Sequence, residues 1–150
     1  MEFIDRLKSK KMKVREISKW GPYLRKRWEN HFVNHLSREE KEEIFLYSDR
    51  YACGYLWHVF SWEKKQCLIG EEAERTFHEE RKKTCYIFHQ HSDDILILEN
   101  ASLLHVSDLL YETDDLYKGD IYIVDTDFSW IYVKTHETRW CGPYFSREKW

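Results

Sequence analysis

From Leu24 onward an apolar residue returns every fourth position: Leu24, Trp28, Phe32 and Leu36, with His31 and His35 beside them. That spacing is one buried face of an α-helix. Gly21-Pro22 ahead of it suits a helix start, because proline in the first turn has no intrahelical N–H bond to lose. Ser37 stands three residues before Glu40, the spacing of a capping box, and predicts a second helix running to about Tyr47 and burying Ile44, Phe45 and Tyr47. Phe3, Ile4 and Leu7 mark a short amphipathic helix before these two, and residues 14–17 read as an extended arm. The chain is thus predicted to be helical over residues 1–50.

From Tyr51 the period shortens. Tyr55, Trp57 and Val59 alternate with Leu56, His58 and Phe60, which reads as a strand with apolar side chains on both faces. Ala73 and Phe77, four apart among glutamates, predict a short helix within residues 67–80. Residues 84–91 and 95–99 are strand-like around the turn composition of Ser92-Asp93-Asp94. Residues 120–125 and 130–136 make a second hairpin, and Ser107-Asp108-Leu109-Leu110 reads as a capped helical turn. Pro143 excludes a regular central strand through the tail that contains it. The expected fold is a single α+β domain over residues 1–150, with N-terminal helices on one face of an antiparallel sheet of four to six strands centred on the two hairpins.

Composition sharpens this picture at two points. Seven Trp, ten Tyr and eight Phe in 150 residues exclude a disordered chain. They also exceed what one small core holds, so some are expected at the surface, where Trp and Tyr dominate binding energy. The net charge of −3 hides a split. Residues 1–28 carry ten Lys and Arg against three acids, whereas residues 92–127 carry ten acids against Lys118 alone. The two blocks either steer charged partners or attract one another within the fold. No apolar run approaches the length of a membrane span and none resembles a signal peptide, so a soluble, cytoplasmic protein is expected, with no membrane partner.

Candidate chemistry is thin. In a strand His89 and His91 would project to one side, as two metal-binding imidazoles must. The run His89-Gln90-His91-Ser92-Asp93-Asp94 resembles the H-x-H-x-D-H motif of metallo-β-lactamase-like hydrolases, but Asp94 replaces its last histidine and the acids fall in a turn. His136 with Cys141, or His58 with Cys53, offers a nucleophile and base without any supporting local signature. The four cysteines form no C-x-x-C pair and read as buried hydrophobes. No catalytic residue, bound metal or cofactor is expected; His89, His91 and His136 are the alternative metal ligands.

Four stretches together resemble a known family. They are Tyr55-Leu56-Trp57-His58-Val59-Phe60-Ser61 followed by Cys67-Leu68-x-Gly70-x-x-Ala73 and Phe77; Asp120-Ile121-Tyr122-Ile123-Val124-Asp125-x-x-Phe128-x-Trp130; Thr135-His136-Glu137; and Gly142-Pro143-Tyr144-Phe145. The resemblance is to the bacterial domain of unknown function 4275, and it implies no particular activity. The hairpin ending in Thr-His-Glu is also similar to small α+β immunity proteins that neutralise bacterial toxins. The leading expectation is a non-enzymatic domain that binds another protein through an aromatic and acidic surface. Its candidate contacts are Trp57, His58, Trp62, Asp93, Asp94, Asp114, Asp115, Trp130, His136, Glu137, Trp140 and Tyr144. Two alternatives stand beside it: a binder of nucleic acid or an anionic surface through the basic N-terminal segment, and a small metal- or Cys/His-dependent hydrolase.

Overall fold

The computed structural model describes residues 3–47, 55–109, 120–136 and 141–150. The helices among them are α1 (Phe3–Ser9), α2 (Gly21–Phe32), α3 (Arg38–Glu43), α4 (His58–Ser61) and α5 (Glu71–Glu79). The strands are β1 (Lys13–Ile17), β2 (Leu68–Ile69), β3 (Thr84–His89), β4 (Ile95–Glu99), β5 (Ile121–Asp125), β6 (Trp130–Lys134) and β7 (Tyr144–Arg147). Single 3-10 turns occupy Ala101–Leu103 and Val106–Asp108. The strands form one antiparallel sheet in the order β1-β4-β3-β5-β6-β7-β2.

The fold is α+β, and the hairpins β3–β4 and β5–β6 occupy the middle of the sheet. Seven strands replace the expected four to six: the short β2 pairs with β7 at one edge, and two further segments join the sheet. Residues 13–17 pair with β4 as an edge strand instead of forming an arm. The tail supplies β7 within the sheet, because Pro143 stands just before the first ladder residue, Tyr144, so its missing N–H removes no ladder bond.

Both faces of the sheet are buried, because successive side chains of a strand point to opposite sides. One row runs Phe88, Tyr122, Val133, Tyr144 across β3, β5, β6 and β7. It packs with Leu24, Trp28 and Phe32 of α2 and with Leu56, Trp57, Val59 and Phe60. The adjacent row runs Leu96, Ile87, Ile123, Tyr132, Phe145. It packs with Phe3 and Leu7 of α1 and with Ala73 and Phe77 of α5. The helices of the first fifty residues therefore divide between the two faces rather than sharing one.

Two local expectations change. Residues 55–60 form a turn and the short helix α4, not a strand. The backbone N–H groups of His58, Val59 and Phe60 donate to carbonyls three residues earlier, at 3.1, 3.3 and 2.9 Å, and this winding sends Leu56, Trp57, Val59 and Phe60 into one cluster. The capping box of Ser37 and Glu40 is present, but α3 ends at Glu43. Phe45 then takes a positive φ of 54°. Ile44 and Leu46 turn inward, while Phe45 and Tyr47 remain 44% and 42% exposed.

The entry to α2 is locked by close packing. The Gly21 N–H donates to the Asp93 carbonyl at 2.7 Å. A Cβ at Gly21 would stand 2.7 Å from Asp93 Cα and 2.8 Å from the Ser92 carbonyl oxygen, inside backbone contact distance. Gly21→Ala is expected to destabilise the fold by about 1–3 kcal/mol through overpacking, read as a lower midpoint in urea denaturation.

Candidate functional site

Antiparallel pairing brings the C-terminal ends of β3 and β6 to the same end of the sheet as the N-terminal ends of β5 and β7. Polar residues gather there. Asp120, immediately before β5, is fully buried. Its Oδ2 accepts from Trp57 Nε1 at 2.7 Å. Its Oδ1 accepts from the His136 backbone N–H and lies 2.7 Å from His136 Nδ1. Three N–H groups thus surround one buried carboxylate, the saturation that such a group requires. Beside it the Tyr122 hydroxyl donates to Gln90 Oε1, which also accepts from the Leu56 N–H at 3.1 Å.

The ring of Tyr55 is the hub of this end. It stacks on Trp57 with centroids 5.4 Å apart and meets His58, His91 and His136 at 5.3, 6.0 and 5.0 Å. His58 Nδ1 lies 2.8 and 2.9 Å from the carbonyl oxygens of Ile44 and Phe45, so it carries the proton. His136 Nδ1 donates to Asp120 in the same way. With Nδ1 engaged in this way, Nε2 is the nitrogen that each ring leaves for acid–base or ligand chemistry.

Of the predicted residues, Trp57, His58 and His136 come together here, and buried Tyr144 stacks on Trp57 at 6.1 Å. Trp130 is buried on the opposite face against Phe77 and Phe145 and is a core residue. Trp62 is 48% exposed on the helical side, in contact with Phe45. His89 continues the alternation of Cys85 and Ile87 toward the second cluster, whereas His91 faces Tyr55, so the two do not form the imagined pair. Among the described residues no three His, Cys, Asp or Glu side chains gather in a way that could hold a metal ion. Asp114, Asp115, Glu137, Trp140 and Cys53 lie outside the described residues. Burial raises the thiol of Cys67 to about 11 and that of Cys85 to about 12, which keeps both protonated and poorly nucleophilic.

Four acids of the acidic block meet the basic one. Arg25 pairs with Asp93 at 2.7 Å, Lys10 with Asp108 at 2.8 Å and Lys13 with Glu99 at 3.5 Å, and Asp94 accepts from the Lys19 N–H at 3.3 Å. Arg25 also donates to the carbonyls of His89 and Ser92, tying α2 to the β3–β4 turn. Sequence reasoning missed Tyr55, Gln90 and Asp120 as members of the polar end. Asp120 had one usable signal, an acid directly abutting the apolar run of β5.

An antiparallel α+β domain with a buried, fully bonded carboxylate at one sheet end is the class of protein that this geometry defines. More particularly, the chain belongs to the family described as Domain of unknown function (DUF4275), whose profile matches residues 1–145. Comparisons with curated proteins and with solved structures find no match.

Trp28 and Trp57 are both buried, but the Trp28 indole N–H has no hydrogen-bond partner. Trp57→Phe is expected to cost about 1–3 kcal/mol more than Trp28→Phe, because only it removes a donor from a buried carboxylate. Paired urea denaturation curves check this difference.

A pH response arises on the other face. His78 of α5 stacks on His105 with centroids 4.1 Å apart. His78 Nε2 accepts from the Val106 N–H at 3.3 Å, and His105 Nδ1 accepts from the Ser107 N–H at 3.1 Å. Burial first, then His105 and Lys82, hold the His78 pKa below its ordinary 6.5. The unfolded chain therefore binds the proton more readily. The stabilisation is complete above pH 6.5 and is lost as pH falls through the lower folded value. Thermal melts from pH 7.5 to 5 should show this loss, and His78→Phe should flatten it.

Proposed function

We propose that this chain is a bacterial, cytoplasmic, non-enzymatic domain that binds another protein through the aromatic side of its α2–α4 layer. One observation carries the reading. Of the eight large hydrophobic side chains exposed among the described residues, Trp20, Tyr23, Phe45, Tyr47 and Trp62 are aromatic and lie within residues 20–62. They are held in place rather than loose. Phe45 leans on Trp62 at 6.1 Å, Trp20 meets Tyr23 edge-on at 5.5 Å, and the Tyr47 hydroxyl donates to Glu29 at 2.8 Å. Rigid aromatic area of this kind loses little conformational entropy on binding and supplies the usual hot spots.

An immunity-like role, in which the partner is a toxin, fits the same surface. The acidic block contributes less to it than its composition suggests, since Asp93, Asp94, Glu99 and Asp108 already have partners in the fold. The nucleic-acid alternative weakens for the same reason, because Lys10, Lys13 and Arg25 are the other halves of those pairs. The hydrolase alternative keeps one favourable observation: a buried carboxylate holds His136 Nδ1, as an orienting acid holds a general base.

Affinity capture from the native cytoplasm, followed by binding kinetics with the recovered protein, tests the proposal. Trp62→Ala and Phe45→Ala should each weaken binding by about tenfold or more, chiefly through faster dissociation. Asp93→Lys should change affinity less than about threefold. A dominant effect of Asp93→Lys and Asp94→Lys, with steep salt dependence, would move recognition to the acidic side. Ester or phosphoester hydrolysis abolished by His136→Ala would establish the enzymatic alternative instead.

A further inference from the structure

The structure assigns a second site, independent of the aromatic surface: a cleft of about 800 Å³ between the C-terminal end of α5 and the ends of β3 and β4. We propose that it binds the phosphate group of a small phosphorylated molecule. Its volume falls within the roughly 300–1,000 Å³ of ordinary small-molecule sites.

Its walls are built on a buried lysine. Lys82 Nζ donates to the carbonyls of Phe77 at 2.5 Å and Glu80 at 3.1 Å, closing the end of α5 where carbonyls lack partners. Burial of Lys82 leaves its neighbours Arg81 and Lys83 exposed, and both line the cleft. The facing wall is pinned because the Ala101 N–H donates to the Lys83 carbonyl at 2.9 Å. Asn100, in the left-handed region at φ 58°, then turns the chain so that Asn100 and Ser102 border the same space.

The charge balance favours an anion. Two carboxylates line the cleft, and each already has its own cation: Glu80 is 2.6 Å from Arg147, and Glu99 is 3.5 Å from Lys13. Arg81 and Lys83 have no such partner among the described residues. In a chain of net charge −3 they form a local positive focus. His78 also borders the cleft, and since its Nε2 accepts from the Val106 N–H, its neutral ring carries its proton on Nδ1 as a donor. Thr84 and Ser102 add hydroxyls. A planar guanidinium fork, an ammonium, hydroxyls and an amide together match the several oxygens of a phosphate better than the two of a carboxylate.

Titration calorimetry on the full chain at low salt, with AMP and inorganic pyrophosphate as probes, tests this. Saturable one-to-one binding is expected, with amide chemical-shift changes at Thr84, Asn100 and Ser102. The double variant Arg81→Ala/Lys83→Ala should weaken it by at least about tenfold. Both side chains are exposed, so the variant's melting temperature should match the parent. Lys26→Ala/Lys41→Ala, which removes the same charge elsewhere, should leave binding unchanged. Absence of saturable binding would overturn the proposal, as would binding insensitive to the Arg81/Lys83 change. Binding of an oligonucleotide but of neither probe would overturn it in favour of a nucleic-acid surface.

Discussion

The register of β3 against β5 is the constraint on which the rest depends. Pairing Ile87 with Ile123 and Phe88 with Tyr122 builds two apolar rows at once, one on each face. A slip of one residue would exchange the faces of every side chain in the strand, so both cores resist it. The same register delivers Gln90, Asp120 and His136 to one end of the sheet, where strands stop and side chains can turn toward Trp57. The polar end is thus a consequence of core packing, and its geometry inherits the rigidity of the sheet.

Charge works on a different part of the molecule. The basic N-terminal segment runs from α1 through β1 to α2, alongside β4 and the turn that precedes it. Arg25, Lys13 and Lys10 meet acids contributed by residues 93–108. Each of these pairs is partly exposed and contributes little singly. Their collective effect is to hold β1 and α2 to the β3–β4 hairpin and the end of α1 to the 3-10 turn at Val106–Asp108. Part of a pronounced asymmetry along the chain thus becomes an internal attraction in space.

The parts of the fold that were readable from sequence are those in which one periodicity acts alone. Leu24, Trp28 and Phe32 have no other use than a helix face, and residues 84–91 with 95–99 have a turn between two apolar runs. Residues 55–60 were not readable, because six consecutive apolar or aromatic positions satisfy a two-sided strand and a wound turn equally well. The outward turn of Phe45 was hidden for another reason: a positive φ at a phenylalanine carries no compositional signature. Trp57, His58 and His136 were recognised as candidates, but Asp120, which joins two of them, was concealed within an acidic run that reads as hydrated. Its role depends on contacts 63 and 16 residues away, a separation that no local spacing displays.

The distribution of tryptophan bears most directly on function. Among the described residues Trp28, Trp57 and Trp130 are buried, and Trp20, Trp62 and Trp150 are exposed. The buried three serve packing, and Trp57 also satisfies a carboxylate. The exposed three gain less from the fold, since the 38–48% of each that stays in water forgoes its share of the transfer free energy. Trp62 illustrates the point: its contact with Phe45 orders both rings yet leaves them 48% and 44% exposed. An ordered aromatic pair that stays wet is poorly explained by stability alone. Association with another protein would bury that area without first having to order it, and that physical asymmetry is what underlies the proposal of recognition by the helical layer.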